Sequence, residues 1–497
     1  MRLSDLLNDE AKALVADRTS AEIDVVGLTA DSRLVRPGYL FAALPGARAD
    51  GRRYIDEALS RGAAAILAPT GTTLADITVG RASKPPALVT DDNPRLRLAR
   101  IAARFYGPQP TTIAAVTGTN GKTSVANFTR QIWTRMGQPA ASLGTLGLQT
   151  PDKFVAGSLT TPDTVSLHRM LADLKAEGIE HVAMEASSHG LDQYRLDGVQ
   201  LSAAAFTNLT RDHLDYHQTI EAYFAAKSRL FGEILPVGAM AVLNADVAEF
   251  DSLRALCLKR RQRVIAYGKT GADIRVTVHS ALPHGQKVRF AIADVNRDID
   301  LPLVGHFQVM NVACALGLVI ATGGAASAAL DTLNQLDGVP GRMQLAAEHA
   351  VGAAVYVDYA HTPDALANVL QALRPHASGR LLVVFGCGGD RDAGKRPQMG
   401  RIASTLADRV IVTDDNPRGE EAAAIRRAVM AGAAGATEIG DRASAIDAAV
   451  AELQSGDVLV LAGKGHEQGQ IIGDRVIPFD DVTEARQAVA RHSGGRA

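Results

Sequence analysis

Residues 112–133 read TIAAVTGTNGKTSVANFTRQIW. An apolar run, a glycine-rich turn and an amphipathic stretch follow one another, the order strand, loop, helix that opens a nucleotide-binding α/β unit. Within the turn, Gly118-Thr119-Asn120-Gly121-Lys122-Thr123 suits a phosphate group. A glycine loop at a helix N-terminus presents backbone N–H groups to phosphate oxygens, Lys122 adds a point charge, and the Thr123 hydroxyl offers an oxygen to Mg²⁺. The spacing departs from the common P-loop pattern, which wants glycine where Val116 stands.

Outward from this stretch the chain alternates apolar runs with polar turns. VYVDYAHTPDAL from Val355, RLLVVFGCGGDRD from Arg380, RVIVTDDNPRGEE from Arg409 and DVLVLAGKGHE from Asp457 each run from a strand into a polar turn. They predict a second parallel sheet whose loops gather at the carboxyl ends of its strands, where open α/β sheets bind ligands. Proline at 108 and 110, and the turn Leu336-Asp-Gly-Val-Pro-Gly-Arg342, divide the chain into segments 1–109, 110–338 and 339–497. A length of 497 residues, too great for one core, agrees with about three domains.

Composition narrows the function classes. Hydrophobic residues make up 46%, charged residues 21% and aromatics 4%, with 46 glycines, as in a globular α/β protein with many tight turns. A net charge of −2 and the lack of a long basic run exclude the electrostatic footprint of a nucleic-acid binder. Cys257, Cys314 and Cys387 form no Cys-x-x-Cys pair, which points to a reducing cytosol. Acidic Asp5, Asp9 and Glu10 interrupt any signal-peptide core. The uncharged stretch Leu301–Leu330 is broken by His306, Gln308, Asn311 and Gly323-Gly324, so it reads as buried core and not as a membrane span. A cytoplasmic protein acting on small molecules, without membrane insertion, is the expectation.

Three further segments carry candidate chemistry. Glu185 closes the apolar run EGIEHVAM, at a strand's carboxyl end, where a hard oxygen ligand reaches a nucleotide-bound Mg²⁺. Asn208–His217 holds two histidines, His213 and His217, and two aspartates, Asp212 and Asp215, within a few residues, open to two readings: a transition-metal hydrolase site, or a histidine serving Mg²⁺ or a substrate phosphate. Lys227 ends the helical-looking Glu221–Lys227; lysine in such a helix usually snorkels to water, whereas desolvation would free its neutral amine for carbamylation. The hexapeptide TDDNPR occurs twice, at Thr90–Arg95 and Thr413–Arg418. DNPR alone suits a helix start, with Asp or Asn as cap and proline in the first turn. The earlier copy, after the short strand ALVT, is assigned that structural role.

Taken together, GTNGKTS, LTTPD, MEASSHGLDQYR, NLTRDHLDYH, YFAAK, HFQVMN, GVPGRM, DYAHTPDAL, GDRDAGKRP, DNPR and GKGHE stand in the order and approximate spacing of the Mur ligases that extend the peptidoglycan peptide, and the chain resembles that family over nearly its whole length. The resemblance implies a three-domain α/β architecture: residues 1–109 for the UDP end of the substrate, 110–338 as a central P-loop-type ATPase domain, and 339–497 as a Rossmann-like domain for the amino acid. It implies an ATP- and Mg²⁺-dependent, ADP-forming ligase joining meso-diaminopimelate to UDP-N-acetylmuramoyl-L-alanyl-D-glutamate, working as a monomer.

Carried onto this sequence, the resemblance places Gly118, Thr119, Asn120, Gly121, Lys122, Thr123 and Ser124 on the ATP phosphates, with Asn311, Arg342 and Asp358 also holding the nucleotide. Ala30, Ser32, Ala47, Arg48 and Ala49 would contact the uridine end, and Thr160, Thr161, Ser187, Gln193 and Arg195 the muramoyl dipeptide; the family often has asparagine where Leu159 stands. Thr123, Glu185, His213 and a carbamylated Lys227 would hold metal, making Lys122, Lys227, His213 and Glu185 the catalytic set. Arg391, Asp415, Asn416, Pro417, Arg418, Gly463 and Glu467 would form the amino-acid pocket. The planar fork of Arg418 matches the second carboxylate that distinguishes diaminopimelate from lysine. The rivals are a sister amide ligase taking lysine, D-Ala-D-Ala or glutamate, the metal hydrolase, and a nucleotide-dependent binding module.

Overall fold

The computed structural model describes residues 1–8, 22–46, 49–73, 86–157, 159–282 and 285–493. Ala47 and Arg48 lie outside the described residues. Two compact units emerge: Met1–Lys122 with Thr129–Ala266 and Gly317–Gly324, and Thr123–Phe128 with Tyr267–Leu316 and Ala325–Ala497.

The first unit begins with four parallel strands in the order Gly27–Thr29, Tyr39–Ala42, Ala65–Pro69, Ala87–Asp91. Their short apolar runs pack Leu28, Leu40, Leu67 and Val89 against Leu98, Ile101 and Ala102 of the helix Pro94–Tyr106. The same unit holds strands ordered Met240–Asn244, Ala203–Phe206, Thr112–Thr117, His181–Glu185, Ala140–Gly144, all pairing in parallel. Thr112–Thr117, the strand of the opening motif, is central and buried: the chain after it forms Ala140–Gly144 and His181–Glu185 on one side, then crosses to Ala203–Phe206 and Met240–Asn244 on the other. Such a switch point opens a crevice at the carboxyl ends, and both the glycine turn and Glu185 stand there: Val116 is in register with Glu185.

In the second unit six strands follow the order Gln344–His349, Ala353–Asp358, Val458–Ala462, Leu381–Phe385, Arg409–Val412, Thr437–Glu438. The parallel sheet expected from the sequence is present in five of them; Gln344–His349 pairs antiparallel with its neighbour. Central strands such as LLVVF and VLVLA are buried on both faces, as continuous apolar runs require. Leu366, Val369, Met399, Ala403, Ile425 and Val429 cover one face, and Ala445, Ile446, Ala449, Ala485 and Val489 the other.

A meander of Ile274–Leu282, Gly285–Ile292 and Val295–Leu301 also belongs to this unit and was not anticipated. Its signal is a two-residue period: Val288 and Phe290 are buried while Lys287 and Arg289 between and beside them are exposed. The polar half of that alternation hides the strand from a search for apolar runs. The uncharged stretch before Leu330 forms the buried helix His306–Ala321. Among the described residues no helix is long and apolar enough to cross a membrane.

Candidate functional site

The glycine turn is shaped by its neighbours. A Cβ on Gly118, whose φ is +145°, would collide with the Thr207 hydroxyl, and Gly121 takes φ 89° where the helix Lys122–Arg135 starts. Thr119 N donates to Asn208 O at 2.8 Å and Asn120 N to Asn208 Oδ1 at 3.0 Å, so NLTRDH braces the loop from the adjoining strand end. Thr123 and Ser124 are buried in the first helical turn.

Two lysines share one carbonyl. Lys122 Nζ donates to Gly118 O at 3.0 Å and Thr119 O at 2.8 Å, and Lys227 Nζ donates to Gly118 O at 2.7 Å. Lys227 does not snorkel: it is 1% exposed, its ammonium 4.3 Å from the centre of the Tyr223 ring. The expected route to water is closed because Lys227 sits on the inner face of its helix Ile220–Arg229. Burial, with the charge of Lys122 adding to it, holds the Lys227 pKa well below the ordinary lysine value.

His213 lies beside this pair in a left-handed conformation, φ 53°, its ring 4.9 Å from that of His189. Burial depresses its pKa, Lys122 and Lys227 depress it further, and Asp212 opposes them. A neutral imidazole is the form that ligates a cation. His189 is pushed down to about 4, by burial first and then by His213 and His217. His217 stacks on Tyr223 at 5.2 Å and is buried, as a structural residue. Among the described residues no group of three or more His, Cys, Asp or Glu is arranged to hold a metal ion.

Glu185 is 2% exposed, with Oε1 accepting from Thr145 N at 2.7 Å and Oε2 from Thr145 Oγ1 at 3.2 Å. Nothing in the sequence marked Thr145; it reaches Glu185 because the strand it follows, Ala140–Gly144, pairs in parallel with His181–Glu185. Mg²⁺ is held by one or two carboxylates, with phosphate oxygens and water completing its shell. The buried Glu185 carboxylate and the His213 imidazole, its pKa lowered by burial, are donors of the kind such a shell uses.

The residues expected on the dipeptide converge on the same strand end. Thr161 Oγ1 donates to Glu185 O at 2.9 Å and accepts from Ser187 N at 3.0 Å. Ser187 caps the helix Ser188–Asp192 by accepting from Gly190 N. Arg195 donates to Thr161 O and to Gln193 Oε1, both at 2.7 Å, and Gln193 donates to the Tyr216 hydroxyl at 3.2 Å. Thr160 is linked to this group through Thr145 at 3.0 Å. On the N-terminal sheet Ala30 is exposed just past a strand, Ser32 donates to Glu57 at 2.7 Å, and Ala49 O accepts from Gly46 N at 3.1 Å.

In the second unit the expected nucleotide residues form one chain of contacts. Asn311 Nδ2 donates to Gln308 Oε1 at 2.9 Å, Gln308 Nε2 donates to Arg342 O at 3.2 Å, and the Arg342 guanidinium lies 4.4 Å from the Tyr359 ring centre. Asp358 is buried and accepts from Met343 N and Ala360 N; burial pushes its pKa up to about 6 against the pull of Arg342.

The expected amino-acid residues stand beyond three strand ends of the six-stranded sheet, those of Leu381–Phe385, Arg409–Val412 and Val458–Ala462. Gly463 N donates to Asp358 O at 3.0 Å, and its φ of +117° suits glycine alone. Asn416 Nδ2 donates to Glu467 Oε2 at 2.8 Å. Asp415 is 6% exposed, and its Oδ1 has no hydrogen-bond partner among the described residues. Arg418 takes φ 52°, donates from Nη1 to Gly389 O at 2.9 Å, and is clamped through N–H···O of Ile471 at 3.0 Å. A Cβ on Gly388 would meet Arg418 Nη1 and one on Gly389 would meet Pro417 O, so the glycine pair admits the DNPR turn. Arg391 is exposed, yet its charge is felt at the half-buried Tyr359, as are those of Glu467, Arg342 and Asp415.

Known proteins share this arrangement. Residues 24–106 match the Mur ligase family, catalytic domain; residues 116–319 the Mur ligase middle domain; and residues 341–465 the Mur ligase, glutamate ligase domain. A UDP-N-acetylmuramoyl-L-alanyl-D-glutamate–2,6-diaminopimelate ligase of Rhizobium meliloti (strain 1021) is 52% identical over 98% of this chain and 99% of its own. Its namesake from Caulobacter vibrioides is 50% identical over 98% of each chain. A solved structure of a ligase of the same name aligns with TM-score 0.70 at 36% identity, covering 94% of this chain and 95% of its own. A MurF ligase of Thermotoga maritima in complex with ADP shares the fold, with TM-score 0.65 at 20% identity over 96% and 99% of the two chains. The chain is an enzyme of the Mur ligase family, with that family's three-domain α/β fold.

Proposed function

We propose that the enzyme joins meso-diaminopimelate to UDP-N-acetylmuramoyl-L-alanyl-D-glutamate in the cytoplasm, as a monomer, consuming ATP. The observation that carries this reading is a phosphate loop beside a desolvated lysine; the second unit adds a cluster at its strand ends in which Asn416 bonds to Glu467 and the Arg418 turn is held by Gly389 and Ile471. In our reading residues 1–109 hold the uridine end, 110–338 the ATP and 339–497 the amino acid.

A carboxylate is a poor acyl donor because oxide is its leaving group. Phosphorylation changes that: a carboxylate oxygen of the dipeptide forms a bond to the γ-phosphorus, and the bond to ADP breaks. The backbone N–H groups of residues 118–124 and the ammonium of Lys122 hold the phosphates in line and meet the charge that spreads over the transferring oxygens. Lys122 leaves the carbonyls of Gly118 and Thr119 for those oxygens. Thr161, Ser187, Gln193 and Arg195 orient the acceptor, and Asn311, Arg342 and Asp358 hold the nucleotide. The incoming amine then forms the C–N bond, loses a proton, and phosphate departs.

Thr123, Glu185, His213 and Lys227 would hold Mg²⁺, which supplies charge neutralisation for the phosphates when bound. The neutral Lys227 amine forms an N–C bond to CO₂ and releases one proton; the carbamate keeps one N–H, enough for its bond to Gly118 O. The direct test is phosphate release from ATP in the presence of the UDP-dipeptide. Release driven by meso-diaminopimelate and weak with L-lysine is expected, and equal rates would favour the lysine-adding sister activity.

A further inference from the structure

The charged side chain at the centre of the second cluster is none of those discussed so far. Lys464 is 0% exposed, with no side-chain contact to water. Its ammonium has three N–H bonds to give and gives all of them: to Gly469 O at 2.6 Å, to Glu467 Oε2 at 3.2 Å and to Asn416 Oδ1 at 3.3 Å. Asp415 Oδ1 stands 3.8 Å away, within ion-pair range and beyond hydrogen bonding.

Each acceptor belongs to a different piece of the pocket. Asn416 comes from the turn after Arg409–Val412, Glu467 from the turn after Val458–Ala462, and Gly469 opens the hairpin formed by Gly469–Ile472 and Arg475–Pro478. That hairpin is tied to the DNPR turn elsewhere as well: Gln470 Nε2 donates to Asp415 O at 2.7 Å, Ile471 N to Asn416 Oδ1 at 2.9 Å, and Gly473 N to Arg418 O at 2.8 Å.

We propose that Lys464 is the positioning residue of the amino-acid pocket: its buried ammonium fixes Asn416, Glu467 and the Gly469 carbonyl at one point, and thereby sets where Asp415, Glu467 and Arg418 meet the incoming diamino acid. This rests on the proposed identity of the pocket. Since all three donors are spent within the protein, Lys464 acts through its neighbours and does not touch the substrate. Both Asn416 and Lys464 bond to Glu467 Oε2, which leaves Oε1 as the acceptor for a ligand ammonium. Asp415 Oδ1 is the second such acceptor. The buried lysine also offsets like charge, since its ammonium stands 3.8 Å from Asp415 and 3.2 Å from Glu467.

The experiment is steady-state kinetics of Lys464→Met in the full chain. The KM for meso-diaminopimelate should rise by roughly tenfold to a hundredfold, the range for a group that orients a direct contact, while the KM values for ATP and the UDP-dipeptide stay within about twofold. A merely structural role would move all three together. In the Glu467→Gln background the same substitution should cost less than in the wild type, because the carboxylate it positions is already altered; independent, multiplying losses would overturn the proposal. Should the methionine variant not fold, Lys464→Gln keeps one donor for Gly469 O without the charge and carries the same expectation. Arg418→Ala separates the two levels. If it leaves the meso-diaminopimelate KM unchanged, the pocket is misassigned and the proposal falls with it; if it raises that KM while both Lys464 variants do not, only the role of Lys464 fails.

Discussion

TDDNPR appears twice in this chain, and the two copies fold differently. In the first, Asn93 Oδ1 accepts from Leu96 N at 3.1 Å, Pro94 takes the first turn of the helix Pro94–Tyr106, and Arg95 donates to Pro45 O from an exposed position. In the second, the same asparagine becomes a link between Lys464, Glu467 and the hairpin, and no helix begins until Ala422. Arg418 takes a left-handed conformation. Sequence downstream makes the difference. PRLRLARIAARFY continues as an amphipathic helix, whereas PRGEE brings Gly419 and two acidic residues into the turn. A local motif therefore carries a function only through the partners that its surroundings supply.

The largest expected effect lies outside both copies and provides the reference for them. Lys227→Ala should abolish ligation with any amine, since it removes the group that becomes an oxygen ligand, and a short-chain carboxylic acid should partly restore the rate. Full activity in Lys227→Arg would remove the carbamate assignment, because arginine keeps its charge and forms no carbamate.

Within the copies, Arg418→Ala leaves a distal carboxylate without its planar partner, a loss of roughly 2 to 5 kcal/mol, or at least about thirtyfold in kcat/KM for meso-diaminopimelate. ATP affinity should not change. Asn93→Ala should cost about 1 kcal/mol of stability, the usual worth of an N-cap, read from the urea midpoint with the meso-diaminopimelate KM unaltered. Loss of substrate affinity there would erase the distinction between the copies. Arg95→Ala is the smallest case, within about 0.5 kcal/mol in stability as for an exposed side chain, and with little change in kcat/KM.

Much of this was legible because phosphate loops and strand-end carboxylates are short-range features. Residues 112–133 fold as strand, turn and helix as their periodicity requires, and Glu185 stands at a strand end beside them. What escaped the sequence is long-range. Thr145 meets Glu185 across 40 positions of chain, and Lys464 meets Asn416 across 48. Lys464 was in view, inside GKGHE, but a lone lysine between two glycines gives no sign of being buried. Lys227 shows the converse: its apolar neighbours left both snorkelling and desolvation open, and only the packing of Tyr223 over it decides between them.

The most direct measurement of the central claim compares Arg418→Ala and Arg95→Ala side by side, taking kcat/KM for meso-diaminopimelate and for L-lysine in each. The account predicts that Arg418→Ala loses at least about thirtyfold with meso-diaminopimelate and far less with lysine, which lacks the second carboxylate, so that discrimination narrows. Arg95→Ala should keep the wild-type preference. A large loss at position 95 with little at 418 would contradict the account and give the pocket to the other copy.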